Sequence, residues 1–196
     1  MYKRYTLLGF IKLFIAFLNT KCFYRNSRLI RLPFDIRNKS NIDLGIGLTT
    51  GVGCRIEAFP EMKETIVLKF GKNVQINDYV HITSMKNVKI GNNVLMASHI
   101  YISDCSHGSY RGDENDSNPN MYPTDRPLFA RPILIEDNVW LGEFVSVLPG
   151  VTIGKGTIVG ANSVVTKNLP ENVIAIGIPA RPIKKFNFKT SLWEKI

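Results

Sequence analysis

Cysteine is scarce and oddly numbered in this chain. Cys22, Cys54 and Cys105 are the whole set, and no two form a CxxC pair. That argues against a disulfide scaffold and points to a reducing compartment, the cytoplasm. Long apolar runs are missing too. The N-terminal stretch from Leu7 to Leu18 has about twelve residues and contains Lys12. It falls short of the ~20 residues that a spanning helix needs. No small-x-small cleavage site follows Lys3 and Arg4, so the stretch does not read as a signal peptide. No nucleic-acid motif appears, and the composition is neither collagen-like nor that of a disordered chain.

What is present is a globular composition of 196 residues, 44% hydrophobic and 21% charged, with a formal charge of +9. The charge sits at the ends. Residues 1–37 hold eight Lys/Arg and one Asp, and residues 181–196 hold five Lys/Arg and one Glu. Residues 38–180 hold twelve basic and fourteen acidic side chains, so the body is near neutral. That speaks for local anion contacts and against a nucleic-acid surface.

Residues 1–37 read as a basic amphipathic helical segment, with Leu7, Phe10, Ile11, Phe14, Ile15 and Leu18 on one side of a helix. A helix packed on its own domain or on a neighbouring subunit is the simpler reading. A helix on the inner face of an anionic membrane is the sharper one.

From Ile135 the chain reads IEDNVW, LGEFVS, VLPGVT, IGKGTI, VGANSV, each block opening on Ile, Leu or Val. Similar blocks begin at Phe70, Ile76 and Ile82, and at Ile90, Met96 and Ile102. Fainter copies run through Leu44, Leu48, Cys54 and Ile56. The fifth place of a block is compact, as at Val74, Val94, Val139, Thr157 and Ser163, and the second is often glycine. A six-residue period fits neither a helix nor an alternating strand. It fits triangular coils of three short strands, stacked so that aliphatic columns form the core. The fold expected is therefore an all-β parallel β-helix over residues 38–185. A long polar loop, 108–132, interrupts it, and a short tail or terminal helix, 186–196, follows it.

The order NVW-aliphatic-G (138–142), PGVTIG (149–154), GANSVVTK (160–167) and GIPAR (177–181) resembles the hexapeptide-repeat acyltransferases. The likeness is strongest to galactoside, maltose and polysaccharide (lipopolysaccharide, capsule) O-acetyltransferases. It implies a left-handed coil, although crossovers in general favour the right hand. It implies a homotrimer with active sites between copies, acetyl-coenzyme A as co-substrate and a carbohydrate or lipid-linked sugar as acceptor.

Acetyl transfer to a hydroxyl needs a base and a stabilised oxyanion. Three histidines are available. His107, just before the long loop, stands where the family places the base. Asp104 is a candidate to orient it, or else a turn residue. His81 reads as a surface corner residue. The resemblance implies acceptor contacts from Ser98, His99 and Trp140. It also implies coenzyme A contacts from Gly142, Ala161, Thr166, Lys167, Arg181 and Lys184, the cations lying against phosphates. Cys105 stands where many relatives have a second histidine, and a covalent role for it stays open. No metal is expected. A γ-type zinc carbonic anhydrase, which gathers three histidines, a non-catalytic β-helix, and acyl transfer to a nucleotide-amino sugar, serine or an antibiotic are the alternatives.

Overall fold

The computed structural model describes residues 6–196, so Lys3 and Arg4 lie outside the described residues. Helix α1 (Leu7–Phe23) starts at Thr6, whose Oγ accepts a hydrogen bond from the Gly9 amide at 3.2 Å. Gly9, Leu13, Ala16 and Thr20 recur at helical spacing and face the body. Thr20 Oγ donates to the Ala16 carbonyl (2.6 Å) and accepts from the Ile30 amide (2.8 Å), tying the helix to the first coil. The apolar side expected from the sequence is real. It faces away from the body, however, and the helix packs on its own domain through the small side made by Ala16 and Thr20.

The chain then winds through three faces. β1 (Phe34–Arg37), β2 (Ile42–Asp43) and β3 (Cys54–Ala58) form the irregular start. β4 (Leu68–Phe70), β5 (Gln75–Ile76) and β6 (His81–Ser84) make a regular coil, and β7 (Val88–Ile90), β8 (Leu95–Met96) and β9 (Tyr101–Ser103) the next. There the chain leaves as β10 (Cys105–His107) and returns as β11 (Leu128–Ala130), an antiparallel pair placing His107 opposite Leu128. Coiling resumes with β12 (Ile133–Ile135), β13 (Trp140–Leu141) and β14 (Ser146–Val147), then β15 (Thr152–Ile153), β16 (Ile158–Val159) and β17 (Val164–Val165). β18 (Val173–Gly177), β19 (Ala180–Asn187) and β20 (Leu192–Lys195) close the end as an antiparallel meander.

Face I stacks β2, β4, β7, β12 and β15; face II stacks β5, β8, β13, β16 and β18, extended by β19 and β20; face III stacks β1, β3, β6, β9, β14 and β17. Stacking is parallel throughout the coils and in register. Ile36, Ile56, Ile82, Ile102, Val147 and Val165 make one inner column. Ile76, Met96, Leu141, Val159 and Ala175 make a second, and Phe70, Ile90, Ile135, Ile153 and Leu169 a third. Nearly every member is buried, so the block-opening aliphatics are the core. Two of the buried fifth-place side chains are polar, and both are satisfied. Thr157 Oγ donates to the Pro170 carbonyl, and Ser163 Oγ accepts from the Gly177 amide.

Two boundaries differ from expectation. β1 already belongs to the coil, because Phe34 and Ile36 turn inward two residues apart, so the β-helix starts before residue 38. The tail 186–196 is no helix. Phe186 packs edge-on against Trp193, and β20 pairs with β19.

Candidate functional site

The fourth place of most blocks makes the bend, in the left-handed backbone region. At the I–II edge it holds Asn73, Asn93 and Asn138, with φ of 55–59°. Asparagine tolerates that conformation, and these side chains hydrogen-bond in a ladder. At the II–III edge the same place holds Tyr79, His99 and Phe144, with φ of 56–59°. The His99 ring is stacked between Tyr79 (5.0 Å between centroids, 16° between planes) and Phe144 (4.7 Å, 3°). Left-handed backbone costs an ordinary side chain ~1–2 kcal/mol, and stacked aromatic pairs return ~0.5–1.5 kcal/mol each. The ladder thus holds its own bends.

Along this edge lie Ser98 and His99 after β8, Gly142 after β13 and Ala161 after β16. Trp140, beside them on face II, is exposed and in register with Leu95 and Ile158. A Cβ on Gly142 would sit 2.6 Å from the Ala161 amide nitrogen. The glycine is therefore required by the neighbouring coil as well as by any ligand. Ala161 is exposed. Arg181 in β19 pairs across from Ile176, whose side chain touches the Gly160 bend. The fold thus gathers Ser98, His99, Trp140, Gly142, Ala161 and Arg181 along or beside one edge, with Lys184 further along β19.

His107 is on the other side of face III. It follows β9 at the III–I edge, where the β10–β11 arm leaves the prism. Thr166 and Lys167 follow β17 at that same edge, two coils on, and both are exposed. Among the described residues Lys167, Arg181 and Lys184 make no ion pair. The Arg181 guanidinium bonds only its neighbour's carbonyl, that of Ala180. The residues expected at the site therefore fall at two edges of face III in one chain.

The three histidines differ in what engages them. His81 opens β6, and its Nε2 lies 3.0 Å from both Glu57 Oε1 and Thr83 Oγ, so it is no free corner residue. His99 is sandwiched. The His107 imidazole is exposed and has no hydrogen-bond partner among the described residues; only its backbone carbonyl is engaged, by the Tyr110 hydroxyl at 2.6 Å. The three sit at an edge, on a face and at another edge. Among the described residues no three His, Cys, Asp or Glu side chains gather as a metal site.

Asp104 does not orient His107, and that expectation is corrected. Its carboxylate is fully buried and accepts from the backbone amides of Met85, Lys86 and Asn87, each at 2.8 Å, and from Ser84 Oγ. Its backbone carbonyl accepts from Arg131, where the returning arm rejoins the coil. Asp104 is the turn residue that fastens the base of the arm. Cys105 beside it is half-buried. Burial raises its thiol pKa, the Ser103 hydroxyl opposes this, and the charges of Asp104 and Glu57 add to the rise. The thiol stays protonated at neutral pH, which disfavours a nucleophilic role.

The sequence reading missed one cluster. Glu57, on the outer side of face III, is only 3% exposed. It accepts from Arg55 (2.7 and 2.9 Å), Arg37 (3.3 Å), Thr83 (2.9 Å) and His81. Burial pushes its pKa up, but the bonds from His81, Arg55 and Thr83 and the Arg55 charge outweigh it, and the carboxyl titrates below its ordinary value. The signal was there: Arg55 and Glu57, and His81 and Thr83, are two apart, so each pair faces outward from its strand.

Comparison with known proteins gives the same architecture. Residues 132–167 match the family described as bacterial transferase hexapeptide (six repeats). The chain is 49% identical over 193 residues to WbbJ of Escherichia coli (strain K12), covering 98% of this chain and 96% of that protein. WbbJ's name assigns it provisionally to O-acetyl transfer in lipopolysaccharide biosynthesis. The chain is 32% identical to the galactoside O-acetyltransferase of the same organism, over 79% of this chain and 72% of the relative. In fold it is similar to AntD, an N-acyltransferase from Bacillus cereus solved with dTDP-4-amino-4,6-dideoxyglucose and coenzyme A. The TM-score is 0.67 at 20% identity, over 84% of each chain. With its coils in register, its arm leaving after β9 and these relatives along nearly its whole length, the chain belongs to the hexapeptide-repeat acyltransferases, left-handed parallel β-helices.

Proposed function

We propose that the protein is an acetyl-coenzyme A-dependent O-acetyltransferase acting on a sugar hydroxyl in surface-polysaccharide biosynthesis, with His107 as general base. The observation that carries the reading is the contrast among the histidines. Two are engaged by neighbours, and the third, at the root of the arm, has no side-chain partner among the described residues. A neutral imidazole suits proton transfer near pH 7. His107 accepts the proton of the acceptor hydroxyl, the new C–O bond forms as the thioester C–S bond breaks, and the imidazolium returns the proton to the departing sulfur. Lys167, Arg181 and Lys184, with no carboxylate partners among the described residues, suit the phosphates of the donor. The exposed Ala161 leaves room for its thin arm.

In this reading the site lies between copies of a homotrimer, the II–III edge of one against the III–I edge of the next. That arrangement brings together the two half-sites that a single chain keeps apart. The names of the two relatives support O-acetylation, whereas the AntD complex keeps N-acylation of a nucleotide-amino sugar as the second reading.

The test is release of free thiol from acetyl-coenzyme A over a panel of sugar alcohols and amino sugars. His107→Ala is expected to lose roughly 10²–10⁴-fold in turnover while still binding coenzyme A. Unchanged turnover in that variant would overturn the assignment, and preference for an amine acceptor would favour N-acylation. Cys105→Ala is expected to stay within about twofold of wild type, because direct transfer needs no covalent intermediate.

A further inference from the structure

Helix α1 is the unusual part of the molecule's surface. Leu7, Phe10, Ile11, Phe14, Ile15, Phe17 and Leu18 are each between 44% and 79% exposed. At 100° per residue they fill the half of the helix opposite Gly9, Leu13, Ala16 and Thr20, which face the coils. A helix on a protein surface turns polar residues outward; one that is apolar on both sides is covered on both.

Its length selects among covers. Seventeen residues span about 26 Å. No described helix is long and apolar enough to cross a membrane. Charge selects further. Residues 1–34 contain seven Lys/Arg and no Asp or Glu. Lys12 lies to one side of the apolar half, Lys21 stands at its C-terminal end in the last turn, and Arg25 and Arg28 follow it. Among the described residues none of these four pairs with a carboxylate. An apolar, aromatic stripe rimmed by unneutralised cations matches a sheet of anionic headgroups over acyl chains. Two copies packed through this face would bring like charges together.

We infer that the outward half of α1 lies in the surface of an anionic lipid bilayer, parallel to the membrane plane, and holds the β-helix against it. The inference rests on the helix alone and does not depend on the reaction assigned to His107.

The experiment is vesicle flotation of the full chain. Vesicles of phosphatidylglycerol and phosphatidylcholine in equal parts are compared with phosphatidylcholine alone, at low and high salt. Wild type is expected on the anionic vesicles, with less bound at high salt. Phe14→Ser with Leu18→Ser is expected to weaken partitioning by roughly tenfold or more, each loss removing apolar area from the bilayer. Lys12→Glu with Lys21→Glu is expected to weaken it only on anionic vesicles. Both variants should keep the wild-type oligomeric mass by analytical ultracentrifugation, since all four side chains are exposed and none makes a hydrogen bond or ion pair among the described residues. Absence of wild-type flotation overturns the inference, and so does equal, salt-insensitive binding to neutral vesicles. If the serine variant falls apart into smaller species and wild type does not float, the face is covered by a second copy, and the inference is overturned.

Discussion

Asp104 and His107 are three residues apart and do different work. The buried Asp104 carboxylate answers three backbone amides of the 85–87 turn. Leaving such donors unpaired costs ~1–3 kcal/mol for each buried group. Asp104→Ala is therefore expected to lower unfolding free energy by about 2–4 kcal/mol in urea titration. His107→Ala should change it by no more than about 0.5 kcal/mol. A destabilised His107 variant, or an Asp104 variant with wild-type stability, would reverse these roles. Glu57 gives a pH signature. Its folded-state pKa is depressed, so its contribution is present above the ordinary glutamate value of about 4.3. It is lost as pH falls through the lower, folded value. Glu57→Gln should cost about 1–2 kcal/mol at pH 7, reduced because Arg37 and Arg55 are nearly half exposed. The gap between variant and wild type should close below pH 4, and a gap constant with pH would sink this account of the cluster.

At the scale of elements, the six-residue period made the strands legible and left their edges less so. Block-opening aliphatics such as Ile82, Ile102 and Val147 occupy the column expected of them, because a narrow coil has one interior and no alternative register. The fourth-place residues were visible as Asn73, Asn93 and Asn138. The aromatic exceptions Tyr79, His99 and Phe144 were not read as a ladder, since their stacking depends on coils twenty or more residues apart. For the same reason β20 was not legible: its partner β19 lies across a turn, and the sequence shows only an apolar pair, Leu192 and Trp193. Gly142 tests how tightly the edges are built. Gly142→Val places a Cβ 2.6 Å from the Ala161 amide nitrogen, and that neighbour is backbone, which cannot rotate aside. A loss of about 1–3 kcal/mol is expected, read as a lower thermal midpoint. An unchanged midpoint would mean that the coils separate more easily than their register implies.

At the scale of the whole molecule, the prism explains why the proposed site residues lie at two edges of one chain. The chain winds from face II to face III to face I, so the residues after β13 and β16 and those after β9 and β17 end on different edges. The sequence offered candidates for donor and acceptor contacts only through a resemblance carried by short motifs. It could not show that Asp104 is consumed by a turn, because the 84–87 backbone it serves is twenty residues away. Nor could it show that α1 turns its apolar half outward. That depends on the small face made by Gly9, Ala16 and Thr20 fitting the first coil better than the bulky one.

The most direct measurement mixes two inactive proteins. His107→Ala removes the proposed base at the III–I edge, and Ala161→Trp fills the proposed donor half-site at the II–III edge. Refolded together in equal amounts, they form mixed trimers in which about a quarter of the interfaces join two intact edges. The account predicts that acetyl transfer returns to about that fraction of the wild-type rate. A mixture as inactive as its parents would place both halves of the site within one chain and contradict it.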